Sequence, residues 1–230
     1  MHGSAMAIWQ TVHSVRLQLA ADLSDLDHDQ WRTPSLCPGW DVHDVLAHLV
    51  DTARTGRLSF VRELIAARLD FDRANERGIA REKRSDPLET VAALRDSANL
   101  TRTPPANLAT RLVEVIVHGE DIRRPLGLVG NYPAGAIAEA LEYQLRTPVS
   151  FGGGRERTAG VRLIDRKTGT SWGAGDDGEG EVEGDAIDLL LAVSGRQVDP
   201  QRLTGSGASR LAAAAGPPAD RAPRRRRVKR

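Results

Sequence analysis

Apolar residues recur at helical spacing through the first 145 residues of the chain. Ile8, Val12, Val15, Leu19 and Leu23 fall on one stripe, the repeat expected of a helix with a single buried face. Two prolines and a glycine in Thr33-Pro34-Ser35-Leu36-Cys37-Pro38-Gly39-Trp40 forbid continuing that helix and predict a loop. Asp41 is a good N-cap, with Asp44 at the third helical position. The helix behind it carries Val42, Val45, Leu46, Leu49 and Ala53 on its inner side and can run to about Ala67. The charge-dense stretch Arg73 to Ser85 reads as a loop. Asp86-Pro87-Leu88-Glu89 is a helix start, with an acidic cap, proline at the first position and glutamate at the third. It opens a helix to about Asn99 that buries Val91, Leu94 and Ala98. Thr103-Pro104-Pro105 breaks the chain again before a helix from about Ala106 to Ile122, and Pro125 stops that one. Four helices joined by connections of moderate length predict a four-helix bundle.

The texture changes after a further helix, Pro133 to Leu145. Short β-like pieces follow (Val149-Ser150-Phe151, Val161 to Ile164, Thr170-Ser171-Trp172), separated by glycine-rich turns. Asp185 to Ser194 reads as a buried helix ended by Gly195, and a last short helix covers Ala208 to Ala215. The expected organisation is therefore a helical bundle over residues 6–145, a small α/β domain over 146–215 and a disordered basic tail over 216–230. Met1 to Ala5 is set aside as a cloning scar, with Met6 the natural start.

The 230 residues are 40% hydrophobic, enough for a sizeable core, and carry a formal charge of +1. That balance hides an asymmetry. The 14 residues from Pro217 hold seven Arg or Lys and one Asp; without them 25 basic and 30 acidic residues remain, a body of about −5. A body of that sign has no general footprint for nucleic acid, and contact through the arginine-rich tail would be weak. No run of about 18 apolar residues offers a membrane span, and no basic-then-apolar opening reads as a secretory leader. One cysteine, Cys37, excludes an internal disulfide. The cytoplasm is the default location.

Chemistry concentrates on two helices. Glu114 and His118 lie four apart and project from one face, with Asp121 three further along. Apolar neighbours Val113, Val117 and Ile122 turn that face inward, where an unpaired charge is costly. His48, between Leu46 and Leu49, projects from the apolar side of the second helix. A metal ion held by His48, Glu114 and His118 would satisfy all three and leave a fourth position open, as catalytic zinc sites do; nickel or iron would accept the same ligands. The alternative is a metal-free polar cluster in which His118 bonds Glu114 and His48 caps a loop. Asp121 could fix the tautomer of a ligand histidine or pair with Arg123 or Arg124. Those two arginines could hold a substrate carboxylate or serve the negative end of the helix that precedes them. His43 sits about 140° round the helix from His48 at 100° per residue and is left out of the site. Cys37 and Trp40 read as packing residues.

The stretch Thr33 to Leu49, with Leu36-Cys37-Pro38-Gly39-Trp40-Asp41 and Val45-Leu46-Ala47-His48, resembles the N-terminal signature of the mycothiol-dependent maleylpyruvate isomerase family, part of a wider DinB-like group of metal-binding four-helix bundles. Val113 to Gly127, including Glu114-Val115-Ile116-Val117-His118-Gly119-Glu120-Asp121, is similar to its second signature, and Gly184 to Arg196 to its C-terminal α/β domain. The resemblance implies a DinB-like bundle followed by a small α/β domain, with the metal on His48, Glu114 and His118. It implies a low-molecular-weight thiol, mycothiol or a similar one, activated as a metal-bound thiolate to attack a small electrophile. Isomerisation follows if the adduct rotates and eliminates, and S-transfer if it is kept. The span from His48 to Glu114 is short for the family, so the loops that shape the substrate pocket differ. The rival expectations are a hydrolase of the same bundle using metal-bound water, and a non-enzymatic binding or regulatory module.

Overall fold

The protein is described by a computed structural model over residues 2–173 and 180–213. Its helices are α1 (His2–Asp22), α2 (Val42–Arg54), α3 (Arg57–Ala66), α4 (Phe71–Glu82), α5 (Pro87–Ser97), α6 (Thr110–Arg123), α7 (Ala134–Arg146), α8 (Ala186–Val193) and α9 (Ala208–Ala213), and its strands are β1 (Arg162–Asp165), β2 (Ser171–Trp172) and β3 (Glu181–Gly184). The bundle is built from α1, α2, α5 and α6, with α1 and α2 each packed on α5 and α6. The caps form where the side chains call for them. Asp41 accepts from the Asp44 backbone N–H at 2.7 Å, and the Asp44 carboxylate accepts from the Asp41 N–H in return. Asp86 caps α5 by accepting from the Leu88 N–H.

Leu19, Leu23, Leu46, Leu49 and Leu94 are fully buried in the middle of the bundle, each contributing about 1.5–3 kcal/mol relative to exposure. Ile8, Val12 and Val15 at the start of α1, and Leu112, Val115 and Ile116 on α6, belong to a second core with α7, α8 and the sheet. The sheet order is β2-β1-β3, with β1 antiparallel to β2 and parallel to β3. Gly169, at φ +72°, turns the chain between β1 and β2, a conformation that favours glycine. A bundle followed by a small α/β part is the observed fold. None of the described helices is long and apolar enough to cross a membrane.

Three expectations are corrected. The second helix ends at Arg54 rather than near Ala67, because the chain turns extended at Thr55 and Gly56 before α3 begins. The charged stretch read as a loop is mostly α4. Asp70 caps it, Gly78 and Ile79 are buried, and its charges pair with other helices: Arg81 with Asp51, and Glu82 with Arg54 at 2.7 Å. Charge density marked a helix face paired to α2, not a solvated loop. Gly78 permits that packing, since a Cβ there would lie 2.3 Å from Asp51 Oδ2. Val149–Phe151 is a 3-10 turn rather than a strand, and β3 adds a strand where none was expected. The basic tail and the last residues of the expected final helix, Ala214 and Ala215, lie outside the described residues.

Candidate metal centre

The capping box that starts α2 sets the rotation of that helix, so Val45, Leu46 and Leu49 pack inward and His48 is buried beside them. On α6 the spacing does the same for Glu114, His118 and Asp121, since residues three and four apart share a face. The two helices bring the His48 and His118 rings together edge to face, with centroids 4.8 Å apart. The indole of Trp40 packs against both, at 5.0 Å from His48 and 6.3 Å from His118. Trp40, read in the sequence as a core anchor, is thus a wall of the site.

His118 Nδ1 is 2.9 Å from Asp121 Oδ2, and Arg196 grips the same carboxylate from the turn after α8, with Nε to Oδ1 at 3.0 Å and Nη2 to Oδ2 at 2.7 Å. Burial opposes ionisation of Asp121, but the Arg196 charge and the hydrogen bonds from His118 and Arg196 overcome it and hold the carboxyl down at about 2. An ionised Asp121 can only accept, so Nδ1 of His118 carries the proton of this hydrogen bond. His48 is pushed well below the ordinary imidazole range by burial, helped by His118, Arg111 and Arg196, so it is neutral. Its Nδ1 is buried and makes no hydrogen bond among the described residues.

Glu114 lies one turn before His118. Thr52 Oγ1 donates to its Oε1 at 2.7 Å, and Arg111 Nη2 sits 2.7 Å from its Oε2. Arg111 also donates to the Thr52 carbonyl at 3.1 Å, so α2 and α6 share one polar knot here. A carboxylate offers about four lone-pair directions, and these contacts leave some unused. The donor set therefore fits a divalent cation on three counts. One neutral imidazole has an orphaned buried nitrogen, a second is hydrogen-bonded to Asp121, and a further carboxylate stands on the same face of α6. Sequence reasoning missed Thr52, Arg111 and Arg196, because their partners lie 62, 3 and 75 residues away and only the three-residue pairing has a local signature.

A rival grouping exists. Ligand atoms of Cys37, His118 and Asp121 lie within 4.8 Å of one another. Both Asp121 oxygens already accept from Arg196 or His118, and burial pushes the Cys37 thiol up to about 11. Among the described residues this is the grouping whose ligand atoms meet at that distance, and His48 and Glu114 are not part of it. Two further candidates sit elsewhere in the polar network. Arg123 engages Asp22 through Nε at 2.8 Å and donates to the Tyr132 hydroxyl at 2.8 Å. Arg124 engages Glu120 at 2.8 Å and Asp188 at 2.6 Å. Both guanidinium groups hold the chain together in this structure, their structural reading. His43 hydrogen-bonds Thr90 at 2.9 Å, on α5.

Residues 12–109 match the family described as the mycothiol maleylpyruvate isomerase N-terminal domain. That segment carries this domain, and the resemblance seen in its sequence motif stands; the match ends before Glu114 and His118. No curated protein matches the chain. Two solved structures share the fold. One is a mycothiol-dependent maleylpyruvate isomerase, 18% identical, with a TM-score of 0.57 over 90% of this chain and 93% of that one. The other is a histidine-to-alanine mutant of a mycothiol-dependent maleylpyruvate isomerase, 17% identical, with the same TM-score and coverage. At such identities the likeness is one of fold.

Proposed function

We propose that this protein is a metal-dependent enzyme that uses a low-molecular-weight thiol, mycothiol first among them, to isomerise or S-conjugate a small electrophile. The observation that carries the reading is the pair of imidazoles from α2 and α6 meeting at 4.8 Å, one with an orphaned nitrogen and one hydrogen-bonded to a carboxylate. His48, Glu114 and His118 would hold the cation. A divalent cation there, zinc by its preference for such ligands, would strip the proton from a bound thiol that is mostly protonated at neutral pH.

The remaining groups prepare that chemistry. Asp121, clamped by Arg196, keeps His118 in one tautomer and one orientation, a supporting contact of the kind that raises ligand basicity. Thr52 and Arg111 hold the Glu114 carboxylate in place, and the Trp40 ring covers both imidazoles against water. The thiol sulfur adds to an activated alkene; rotation about the resulting single bond and elimination return the thiol with the other isomer. With a leaving group in place of the alkene, the carbon–sulfur bond is retained and the product is a thioether.

Mycothiol is the first thiol to test because the two solved proteins of this fold are described as mycothiol-dependent. The test compares metal content and thiol-dependent turnover in His48→Ala, His118→Ala and His43→Ala. We expect the first two to lose both together and the third to keep both. Stoichiometric metal retained in His118→Ala contradicts the assignment, and turnover without thiol points to metal-bound water instead.

A further inference from the structure

The α3 helix lies over the molecule without joining its core, and none of its described residues is buried. Its inner side meets α4, with the Phe60 ring 6.4 Å from Phe71 and Glu63 beside Arg77 and Arg81. The outer side is apolar and open. Leu58 is 88% exposed, Ile65 65% and Val61 45%. At about 100° per residue these three fall within about 60° of arc, with Arg57 about 40° to one side and Arg62 about 40° to the other. Both arginines are exposed. Arg57 has no ion pair among the described residues, and Arg62 reaches only Glu63, at 3.5 Å. The turn after the helix adds exposed Arg68 and Leu69. The next acids in the chain, Asp70 and Asp72, belong to the start of α4, where Asp70 accepts from the Arg73 N–H. The outward face of α3 therefore carries an apolar strip, cations on both flanks and no acid.

That pattern fits the boundary of an anionic bilayer, where apolar side chains enter the acyl region while arginines stay at the lipid phosphates. Ten residues of helix span about 15 Å, half the hydrocarbon thickness, so α3 can lie on a membrane but not cross it. A short apolar strip adheres weakly by itself, and firm attachment takes a second signal such as a polybasic segment. The chain has one, with seven Arg or Lys among its last 14 residues. Other occupants of the face are disfavoured by charge. In a two-fold contact with a second copy the same face meets itself, so its arginines would meet arginines. The arginine-rich tail has the same sign as the face and does not complement it. The rest of the chain is about −5, so an anionic surface attracts the molecule through α3 and the tail alone. We propose that α3 is a peripheral docking face for anionic lipid bilayers, with Leu58, Val61 and Ile65 entering the acyl boundary and Arg57 and Arg62 at the headgroups.

The test is flotation of the full chain with vesicles of phosphatidylcholine alone or mixed with phosphatidylglycerol, at about 0.1 M and about 0.5 M NaCl. We expect the anionic vesicles to bind about ten-fold more protein than the neutral ones at the lower salt. Salt should weaken that binding without abolishing it, because the apolar contact is not screened. Leu58→Gln with Ile65→Gln leaves the charge unchanged and alters only exposed side chains, so the fold and its helix content by circular dichroism should be kept. That pair should lower the partition coefficient by about ten-fold. Arg57→Gln with Arg62→Gln should lower it several-fold at the lower salt and little at the higher. No flotation with anionic vesicles overturns the proposal. So does unchanged binding of the Leu58→Gln, Ile65→Gln chain, which would assign the attraction to the tail alone. Light scattering of the same proteins without vesicles reads the second-copy alternative. A dimer that Leu58→Gln with Ile65→Gln dissociates would give the face to another chain and overturn the membrane assignment, whereas an unchanged particle mass beside lost flotation supports it.

Discussion

The wall made by α2 and α6 and the excursion made by α3 and α4 are built on opposite rules. On the first, three groups of chemical interest are fixed by partners, His118 by Asp121, Asp121 by Arg196, and Glu114 by Thr52 and Arg111, while His48 is held by packing. Behind them lie fully buried leucines of the bundle core. On the second, α3 has no buried residue, and the turn that follows it strains two non-glycine residues into the left-handed region, Arg68 at φ 61° and Leu69 at φ 63°. Few buried apolar contacts and backbone strain mark an element of low local stability. The contrast is between polar groups held by partners on core helices and an apolar segment with little packing to hold it.

Two variants sharpen the contrast, beginning with the larger effect. Asp121→Asn removes the charge that fixes the His118 tautomer and leaves Arg196 without its anion. Metal affinity should fall by about 10–100-fold, measured by competition with a chelator, and wild-type affinity would show that the rigid wall does not orient the ligand. Leu69→Gly acts on the adaptable side. The side chain is 70% exposed, so little packing is lost, while the left-handed backbone is relieved. Stability should rise by roughly 0.5–1 kcal/mol in urea unfolding, with metal binding unchanged. A loss of stability would mean that Leu69 packs more tightly than its exposure indicates.

The same division explains what could be read from the sequence. The bundle helices and the inward placement of His48 and His118 follow from apolar periodicity and from the Asp41 and Asp86 caps, which are local signals. Asp121 has two open readings in the sequence; in the fold its carboxylate accepts from His118 and from Arg196, the latter 75 residues away. The α4 helix was illegible because only Gly78, Ile79 and Glu82 are buried on it. Its other residues are polar enough to read as a loop until Asp51 and Arg54 supply the counter-charges. Arg123 and Arg124 have two open readings in the sequence, a substrate carboxylate or the helix end; Glu120 is a local partner four residues before Arg124, but Asp22 and Asp188 come from distant elements. Long-range charge pairing leaves no trace in local spacing.

The central claim is that two imidazoles and a carboxylate from α2 and α6 hold one cation with a place for an external thiol. X-ray absorption at the zinc edge, recorded before and after mycothiol is added, tests it most directly. The account predicts only nitrogen and oxygen neighbours, at about 2.0–2.2 Å, in the thiol-free protein, and one sulfur at about 2.3 Å once thiol is present. A sulfur neighbour before any thiol is added would place the cation on Cys37, and an unchanged spectrum afterwards would remove the thiol from the metal altogether.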